Sequence, residues 1–138
     1  ALMTKTEGGN PFNTVAREFV LELKASSIYP YFKLFSAGDG GDQHEVTTLG
    51  HAMHQWHHVV AIIDRVRHVM EIWVDGTIAG SATDSYSSIY INSHPLLIGG
   101  TEETWEQYSV PKGAMDELRI YNRALTPDQI LALYHSHK

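Results

Sequence analysis

Cysteine is absent from this chain of 138 residues. Disulfide bonds, zinc sites with thiolate ligands and cysteine nucleophiles are therefore excluded. The absence does not identify a cellular compartment, because many exported bacterial domains also lack cysteine. A chain of this length is expected to form one domain, and it buries about two-thirds of the surface of its unfolded form, so its core needs no covalent crosslink.

Clusters of positive charge and long apolar runs are absent as well. Ten Lys and Arg residues stand against sixteen Asp and Glu residues, which gives a formal charge of −6. We therefore expect binding neither to nucleic acid nor to an anionic membrane surface. The apolar run VVAII at residues 59–63 is among the longest, and it is too short for membrane insertion. The first residues, ALMTKTEGGN, do not resemble a signal peptide, and we expect them to lie inside a longer protein.

Alternation of apolar and polar residues recurs along the chain and predicts half-buried β-strands. Phe19, Leu21 and Leu23 share one face in VAREFVLELK, and Phe32 and Leu34 repeat the pattern in YFKLFS. Short strands of this kind, separated by loops rich in Gly, Asp and Ser, predict a β-sandwich or a barrel.

The clearest hairpin signal lies in VRHVMEIWVDGTIAGSA. Asp75 and Gly76 are favoured in a two-residue type I′ turn, which predicts a strand on each side. In the first strand an alternating pattern is predicted, in which Val66, Met70, Ile72 and Val74 alternate with Arg67, Val69, Glu71 and Trp73. PLLIGG predicts a further short strand.

The end of the chain differs from the rest and predicts one short helix over residues 126–134. Thr126 is a good N-cap, Pro127 suits the first helical position, and Gln129 completes a capping box. The apolar side chains that follow fall on one helical face: Ile130, Leu133 and Tyr134.

Four histidines occur in HAMHQWHHVV, at His51, His54, His57 and His58. On a strand, His57 and His58 point to opposite faces. His54 and His58 share a face, but an extended chain separates them by roughly 13 Å. One zinc ion cannot bind both, since its imidazole ligands lie at about 2.1 Å. We therefore predict structural or hydrogen-bonded histidines and no zinc site.

A carboxylate in AMDELRIYNRAL has two open interpretations. On the predicted strand Asp116 shares a face with Leu118 and Ile120, and a carboxylate on an apolar face must be paired or must bind a cation. Calcium suits it, because that ion takes oxygen ligands. Alternatively, Asp116 is the first residue of the strand and lies in water or is capped by backbone N–H groups.

Aromatic and acidic residues in the loops supply the other candidate site. Trp105 and Tyr108 lie in the polar loop TEETWEQYSVPKG, where they either stack on sugar rings or cover the end of the sandwich. With Glu103 and Tyr86 they form the candidate ligand-binding set. Glu102, Glu103 and Glu106 are interpreted as solvated rather than as a glycosidase pair, which needs a controlled separation. Neither a Gly-x-Ser-x-Gly elbow nor a phosphate-binding glycine loop is present.

Two long motifs resemble laminin-G-like, concanavalin-A-like domains. QWHHVVAIIDRVRHVMEIWVDGTIAGS is similar to a strand pair of that family, and LLIGG with GAMDELRIYNRALTPDQILALY is similar to its closing segment. The resemblance extends over about residues 2–134. It implies an all-β fold, a jelly-roll β-sandwich of two antiparallel sheets with one short C-terminal helix. It also implies that His57 and His58 occupy positions that are commonly His without binding metal.

The chain departs from the family at its start, where the family's first strands have no counterpart. We therefore expect residues 1–138 to be a single domain that lacks those strands and leaves sheet edges open. The family's structural calcium uses groups from both ends of the domain, and Asp116 matches only the C-terminal one. ALMTK is expected to pair as an edge strand with a second copy, giving a homodimer. A fold-back of residues 1–14 and a naturally smaller sandwich are the alternatives.

The resemblance implies a noncatalytic binding module of a larger exported or cell-surface protein, and we expect its ligand to be carbohydrate. Calcium is the one cofactor expected. The alternatives are a module for protein partners or self-assembly, and a glycoside hydrolase on the same fold. One fold hosts all three functions, so the fold alone does not choose between them.

Overall fold

The computed structural model describes residues 3–6, 17–24, 29–35, 43–48, 54–85, 96–99 and 113–136. Within these ranges the chain forms eight β-strands and one α-helix. In chain order they are β1 (Met3–Thr6), β2 (Arg17–Lys24), β3 (Tyr29–Phe35), β4 (Gln43–Thr47), β5 (Val59–Asp64), β6 (Val69–Val74), β7 (Thr77–Thr83), β8 (Leu97–Ile98) and α1 (Pro127–Ser136). No helix in these ranges is long and apolar enough to cross a membrane.

The strands form two antiparallel sheets, one with the order β4-β3-β2-β1-β8 and one with the order β5-β6-β7. In the larger sheet Leu21 of β2 lies opposite Phe32 of β3, and Phe32 lies opposite Val46 of β4. Residues directly opposite each other share a face of a sheet. These residues therefore form an apolar row across three strands, as the alternation predicts.

The core lies between the two sheets. Phe32, Leu34 and Val46 of the larger sheet pack against buried side chains of β6 in the smaller one, Met70, Ile72 and Val74. Each of these six side chains is at most 4% exposed. Complete burial of a side chain of this size contributes about 1.5–3 kcal/mol. The two-sheet sandwich with one short helix is therefore confirmed.

The sandwich closes along one side by a close approach of β4 and β7. A Cβ atom added to Gly80 would lie 2.8 Å from the Thr47 carbonyl oxygen and 3.0 Å from Val46 Cγ2. Both distances are too short for a real side chain, so glycine is what allows the two edge strands to come together here.

The two hairpins of the smaller sheet have different turns. Asp75 and Gly76 have φ values of 52° and 78°, which confirms the predicted type I′ turn between β6 and β7. The inclusion of Val66 in the predicted strand is wrong, since β6 begins at Val69 and the Val66 side chain is 92% exposed. The physical reason is Asp64, whose Oδ1 accepts hydrogen bonds from the N–H groups of Val66 and Arg67 at 2.9 Å. These bonds turn the chain, and the alternation begins only at β6.

Helix α1 packs on the outer face of the smaller sheet. Ile130 is fully buried with Ile62 of β5 and Leu125, while Leu133 is partly buried against the same cluster. Thr126 N donates to Gln129 Oε1 at 3.1 Å, and Gln129 N donates to Thr126 Oγ1 at 3.4 Å. The predicted capping box and the predicted packing face are both confirmed.

Two other predictions need correction. Residues 114–121 are not a strand, so Asp116 is not on a strand face with Leu118 and Ile120, and all three are exposed. The physical reasons are a φ of 53° at Glu117, which interrupts an extended chain, and the lack of a neighbouring strand among the described residues. β1 is also not an edge strand, because it pairs with β2 on one side and β8 on the other.

Candidate functional site

Most of the predicted site residues lie outside the described ranges. Trp105, Tyr108, Glu103 and Tyr86 fall there, as do Glu102, Glu106 and His51. Asp116 is described, and its Oδ1 accepts a hydrogen bond from Glu117 N at 2.8 Å. That contact agrees with the alternative in which this carboxylate is capped by the backbone.

A different candidate site lies where the segment before β5 meets the turn between β6 and β7. We call the surface formed by residues 54–58 and 75–76 the Trp56 corner. Trp56 is 69% exposed, the highest value among the aromatic residues whose exposure is described. An indole that remains in water despite its large apolar area is available to a ligand.

The Asp75 carboxylate fixes the geometry of the Trp56 corner. His57 Nδ1–H donates to Asp75 Oδ2 at 2.7 Å, and His58 N donates to Asp75 Oδ1 at 3.0 Å. In the opposite direction, Asp75 N donates to the His58 carbonyl oxygen at 2.9 Å. Three hydrogen bonds therefore tie the turn to the chain that carries Trp56.

The same contacts set the charge of Asp75. Burial has the largest influence and acts to raise its pKa, but the hydrogen bonds from His57 and from the His58 amide together hold the pKa below its ordinary value. The carboxylate is therefore ionised at neutral pH. Its side chain is 35% exposed, so it offers a hydrogen-bond acceptor to solvent, and its partner His57 directly follows Trp56 in the chain.

Helix α1 packs against the turn of the Trp56 corner. A Cβ atom at Gly76 would lie 3.0 Å from Leu131 Cδ1 and 3.1 Å from Tyr134 Cδ1. The ring centroid of Tyr134 also lies 6.1 Å from that of His58 and 5.3 Å from that of His135. The turn, the helix and the segment before β5 thus meet in one packed unit.

The histidines of this region contact different partners. His57 binds Asp75 and His58 lies against Tyr134, which agrees with the prediction of structural and hydrogen-bonded histidines. The described residues contain no group of three or more His, Asp or Glu side chains that could hold a metal ion. The absence of zinc stays a prediction, because His51 lies outside the described ranges.

The buried carboxylates elsewhere are held in ion pairs. Glu71 is 4% exposed and accepts hydrogen bonds from Arg67 Nη1 at 3.0 Å and Trp73 Nε1 at 2.9 Å. Arg67 also binds Asp64, and these two carboxylates, Asp64 foremost, raise the pKa of Arg67. Asp84 is fully buried and binds Arg65 Nη1 at 2.7 Å. Each of these carboxylates is committed to a structural contact.

Sequence reasoning did not select Trp56 as a candidate site residue. The sequence WHHVVAII at residues 56–63 predicts a strand that starts at Trp56 and has apolar residues on both faces, whereas β5 begins at Val59 and Trp56 precedes it. The signal that could have found it is the composition of HQWHH, where a Trp lies among polar residues only.

The arrangement provides the two groups that sugar recognition needs. The face of an indole stacks on the C–H groups of a sugar ring, and a carboxylate accepts hydrogen bonds from hydroxyl groups. The exposed side chain of His54 lies two residues from Trp56. A small number of polar groups around an aromatic surface is typical of a ligand site.

Comparisons with known proteins give one family match and one similar solved structure. A family model described as the concanavalin A-like lectin/glucanases superfamily matches residues 2–131. Among solved structures, an S-layer domain-containing protein from Clostridium thermocellum is 22% identical, with a TM-score of 0.43. The match covers 97% of this chain and 64% of that chain, so this chain spans less than two thirds of that structure. No curated protein matches the chain.

Proposed function

Because the chain belongs to the concanavalin A-like lectin/glucanases superfamily, whose jelly-roll sandwich it shares, we propose that it is a noncatalytic carbohydrate-binding module of an exported or cell-surface protein. The superfamily includes lectins and glucanases by name, so membership leaves binding and hydrolysis open. The observation that carries the choice is the exposed indole of Trp56, which directly precedes His57, the residue that binds the ionised Asp75 carboxylate.

In the proposed mode of binding, a sugar ring stacks on Trp56 and one of its hydroxyl groups donates to Asp75. Each Asp75 oxygen already accepts one hydrogen bond from the protein, and a carboxylate oxygen has room for a second. Because those bonds fix the carboxylate, little conformational entropy is lost when a ligand binds. His54 is exposed and adds a further polar contact.

The absence of catalysis is supported by what the described carboxylates do. A glycosidase needs one protonated acid and one carboxylate at a controlled distance. Asp64 and Glu71 bind Arg67, and Asp75 has a lowered pKa, which makes it a poor general acid at neutral pH. We therefore propose binding without turnover.

The participation of Asp116 in any bound calcium site remains a separate proposal. Calcium takes six to eight oxygen ligands, and the described residues bring no group of three carboxylates or histidines together, so they do not form a calcium site by themselves. Thermal unfolding with and without calcium tests the proposal. Any calcium-dependent rise in Tm should be lost in Asp116→Asn and kept in Asp128→Asn, a change at another exposed Asp.

A glycan array read beside a hydrolysis assay tests the function itself. We expect glycan binding and no release of reducing sugar. Turnover would favour the glycoside hydrolase. Neither binding nor turnover on a broad array would contradict the proposal and favour a module for protein partners.

Titration calorimetry with a glycan from the array then tests the site. Trp56→Ala should raise Kd at least about tenfold, since losing an aromatic contact of about 1.4 kcal/mol has that effect. The matched control is Val66→Ala, which removes a side chain that is 92% exposed at the other end of the β5–β6 hairpin. Unchanged glycan affinity in both variants would mean that the chain binds carbohydrate at a site other than the Trp56 corner.

A further inference from the structure

Residues 114–121, which we call the terminal segment, form a surface that the Trp56 corner does not use. Every residue of the terminal segment is exposed, and none lies in a helix or a strand. Four of its side chains are large and apolar, with exposures between 41% and 65%: Met115, Leu118, Ile120 and Tyr121. Large apolar side chains that are left in water this close together in the chain are candidates for an interface.

The backbone of the terminal segment also lacks a partner strand among the described residues. Among the described residues it makes no hydrogen bond from backbone to backbone, and Glu117 N is satisfied only by the Asp116 side chain. Peptide groups along a β-type sequence offer a template for pairing with another strand. The terminal segment thus combines exposed apolar side chains with main-chain donors and acceptors that have no backbone partner in the described part of the chain.

A local strain points in the same direction. Glu117 has a φ of 53°, in the left-handed region that a residue with a Cβ atom rarely adopts. Incorporation into a sheet would return this residue to the extended region. Strand pairing therefore satisfies the backbone and removes an unfavourable conformation together.

We propose that the terminal segment pairs with the same segment of a second copy of this chain, as antiparallel strands related by a twofold axis at Leu118. The charges select this partner and this register. Glu117 then lies opposite the second copy's Arg119, and Arg119 lies opposite the second copy's Glu117. Opposite charges that face each other across strands are stabilising, and the symmetry forms the pair twice.

Neighbouring registers are disfavoured by the same rule. An axis at Glu117 would place that carboxylate opposite its own copy, and an axis at Arg119 would do the same with two guanidinium groups. With the axis at Leu118, Met115 instead lies opposite Tyr121. Within one chain Arg119 Nη2 already lies 2.7 Å from Glu117 Oε2, so dimer formation exchanges one ion pair for an equivalent one.

A charge-swap series on the whole chain tests this interface. Sedimentation equilibrium from low to high micromolar concentration should show a dimer for the wild type. Glu117→Arg and Arg119→Glu should each weaken the dimer about tenfold, because each replaces two attractive pairs with repulsive ones. The double variant Glu117→Arg/Arg119→Glu restores opposite charges and should recover the dimer. Val66→Arg, a new charge on a distant exposed side chain, should change nothing.

Crosslinking tests the register, since the chain has no native cysteine. Leu118→Cys places two thiols directly opposite each other across the axis, with Cα atoms about 4.5–5.5 Å apart, which a disulfide spans. Oxidised glutathione should therefore give a covalent dimer with Leu118→Cys and little with Ile78→Cys, a control at another exposed apolar position.

Three outcomes would overturn the proposal. A wild type that is monomeric over the whole range would do so, and so would single charge variants that associate like the wild type. Equal crosslinking at both cysteine positions would show random collision. Amide exchange of the monomer gives an independent readout, since protection of the terminal segment without a dimer would mean that another strand covers it.

Discussion

β6 and the terminal segment carry the same alternation of apolar residues, yet only one of them is a strand. Ile72 of β6 is fully buried, whereas Leu118 and Ile120 are 43% and 65% exposed. β6 is joined to β5 and β7 by short turns and pairs with both. The terminal segment has no such neighbour among the described residues. Alternation therefore makes a segment able to form a strand, but the strand forms only where a neighbouring segment is available to pair with it.

The two described tryptophans, Trp73 and Trp56, show a similar contrast between a packed and an exposed residue. Trp73 lies within β6, packs near helix α1 and donates to Glu71 through its indole N–H. Trp56 lies three residues before β5 and remains 69% exposed. The same side chain is a structural element at one position and an available binding surface at the other.

The largest effect is expected from a matched pair of substitutions in the two β-type sequences. Ile72→Ala should lower the free energy of unfolding by about 2–5 kcal/mol, because it leaves a cavity between the sheets. Ile120→Ala should change it by less than about 0.5 kcal/mol, as at an exposed site. Urea unfolding at a concentration where the chain is monomeric measures both. Similar losses would mean that the terminal segment is packed in solution, which would end the comparison.

A second effect separates the hairpin turn from Gly113, the residue directly before the terminal segment. Gly76→Ala should cost about 1–2 kcal/mol, because alanine disfavours a positive φ and its Cβ atom would lie 3.0 Å from Leu131 Cδ1. Gly113→Ala is the control, since a Cβ atom there meets nothing within 4 Å. Chemical unfolding of both variants should show a loss only for Gly76→Ala, and an unchanged Gly76→Ala would contradict the packing of the turn against α1.

A smaller effect concerns pH at the Trp56 corner. The pKa of Asp75 is lowered in the folded chain, so its contribution to stability is complete above about pH 4, the ordinary carboxyl value. It is lost as the pH falls through the lower folded-state pKa. Asp75→Asn should therefore flatten the loss of stability below about pH 4, whereas Asp128→Asn should leave that slope unchanged. Parallel pH profiles of Tm for Asp75→Asn and the wild type would contradict the assignment.

Much of the fold was predictable from the sequence because its signals are local. The Asp75-Gly76 turn, the Thr126 to Gln129 capping box and the apolar face of Phe32 and Leu34 each depend on residues a few positions apart. The prediction for Val66 was wrong for a local reason as well, since the Asp64 side chain holds residues 66 and 67 in a turn and β6 begins later than the alternation indicated. The prediction of a strand in the terminal segment was wrong for a nonlocal reason, because no pattern within the segment specifies a neighbouring strand.

The site was harder to predict than the fold. The importance of Asp75 depends on its meeting His57, which lies 18 positions away, and no sequence spacing encodes that contact. Trp56 was not selected as a site residue because the residues that follow it have the pattern of a strand. The candidates chosen from loop composition, Trp105 and Tyr108 with Glu103 and Tyr86, lie outside the described ranges and stay predictions.

The smallest expected change in stability gives the sharpest test of the comparison between the two tryptophans. Trp56→Ala should alter the free energy of unfolding by less than about 0.5 kcal/mol, because most of its side chain is already in water. Trp73→Ala should cost about 3–5 kcal/mol, because it opens a cavity beside α1 and removes one of the two hydrogen-bond partners of buried Glu71. Urea unfolding and glycan titration on the same samples separate the two roles. If Trp56→Ala also destabilised the chain by several kcal/mol, the indole would be a structural cover and any loss of binding would follow from unfolding. Intact stability with weakened binding is the combination that a ligand-contacting residue predicts and a packing residue does not.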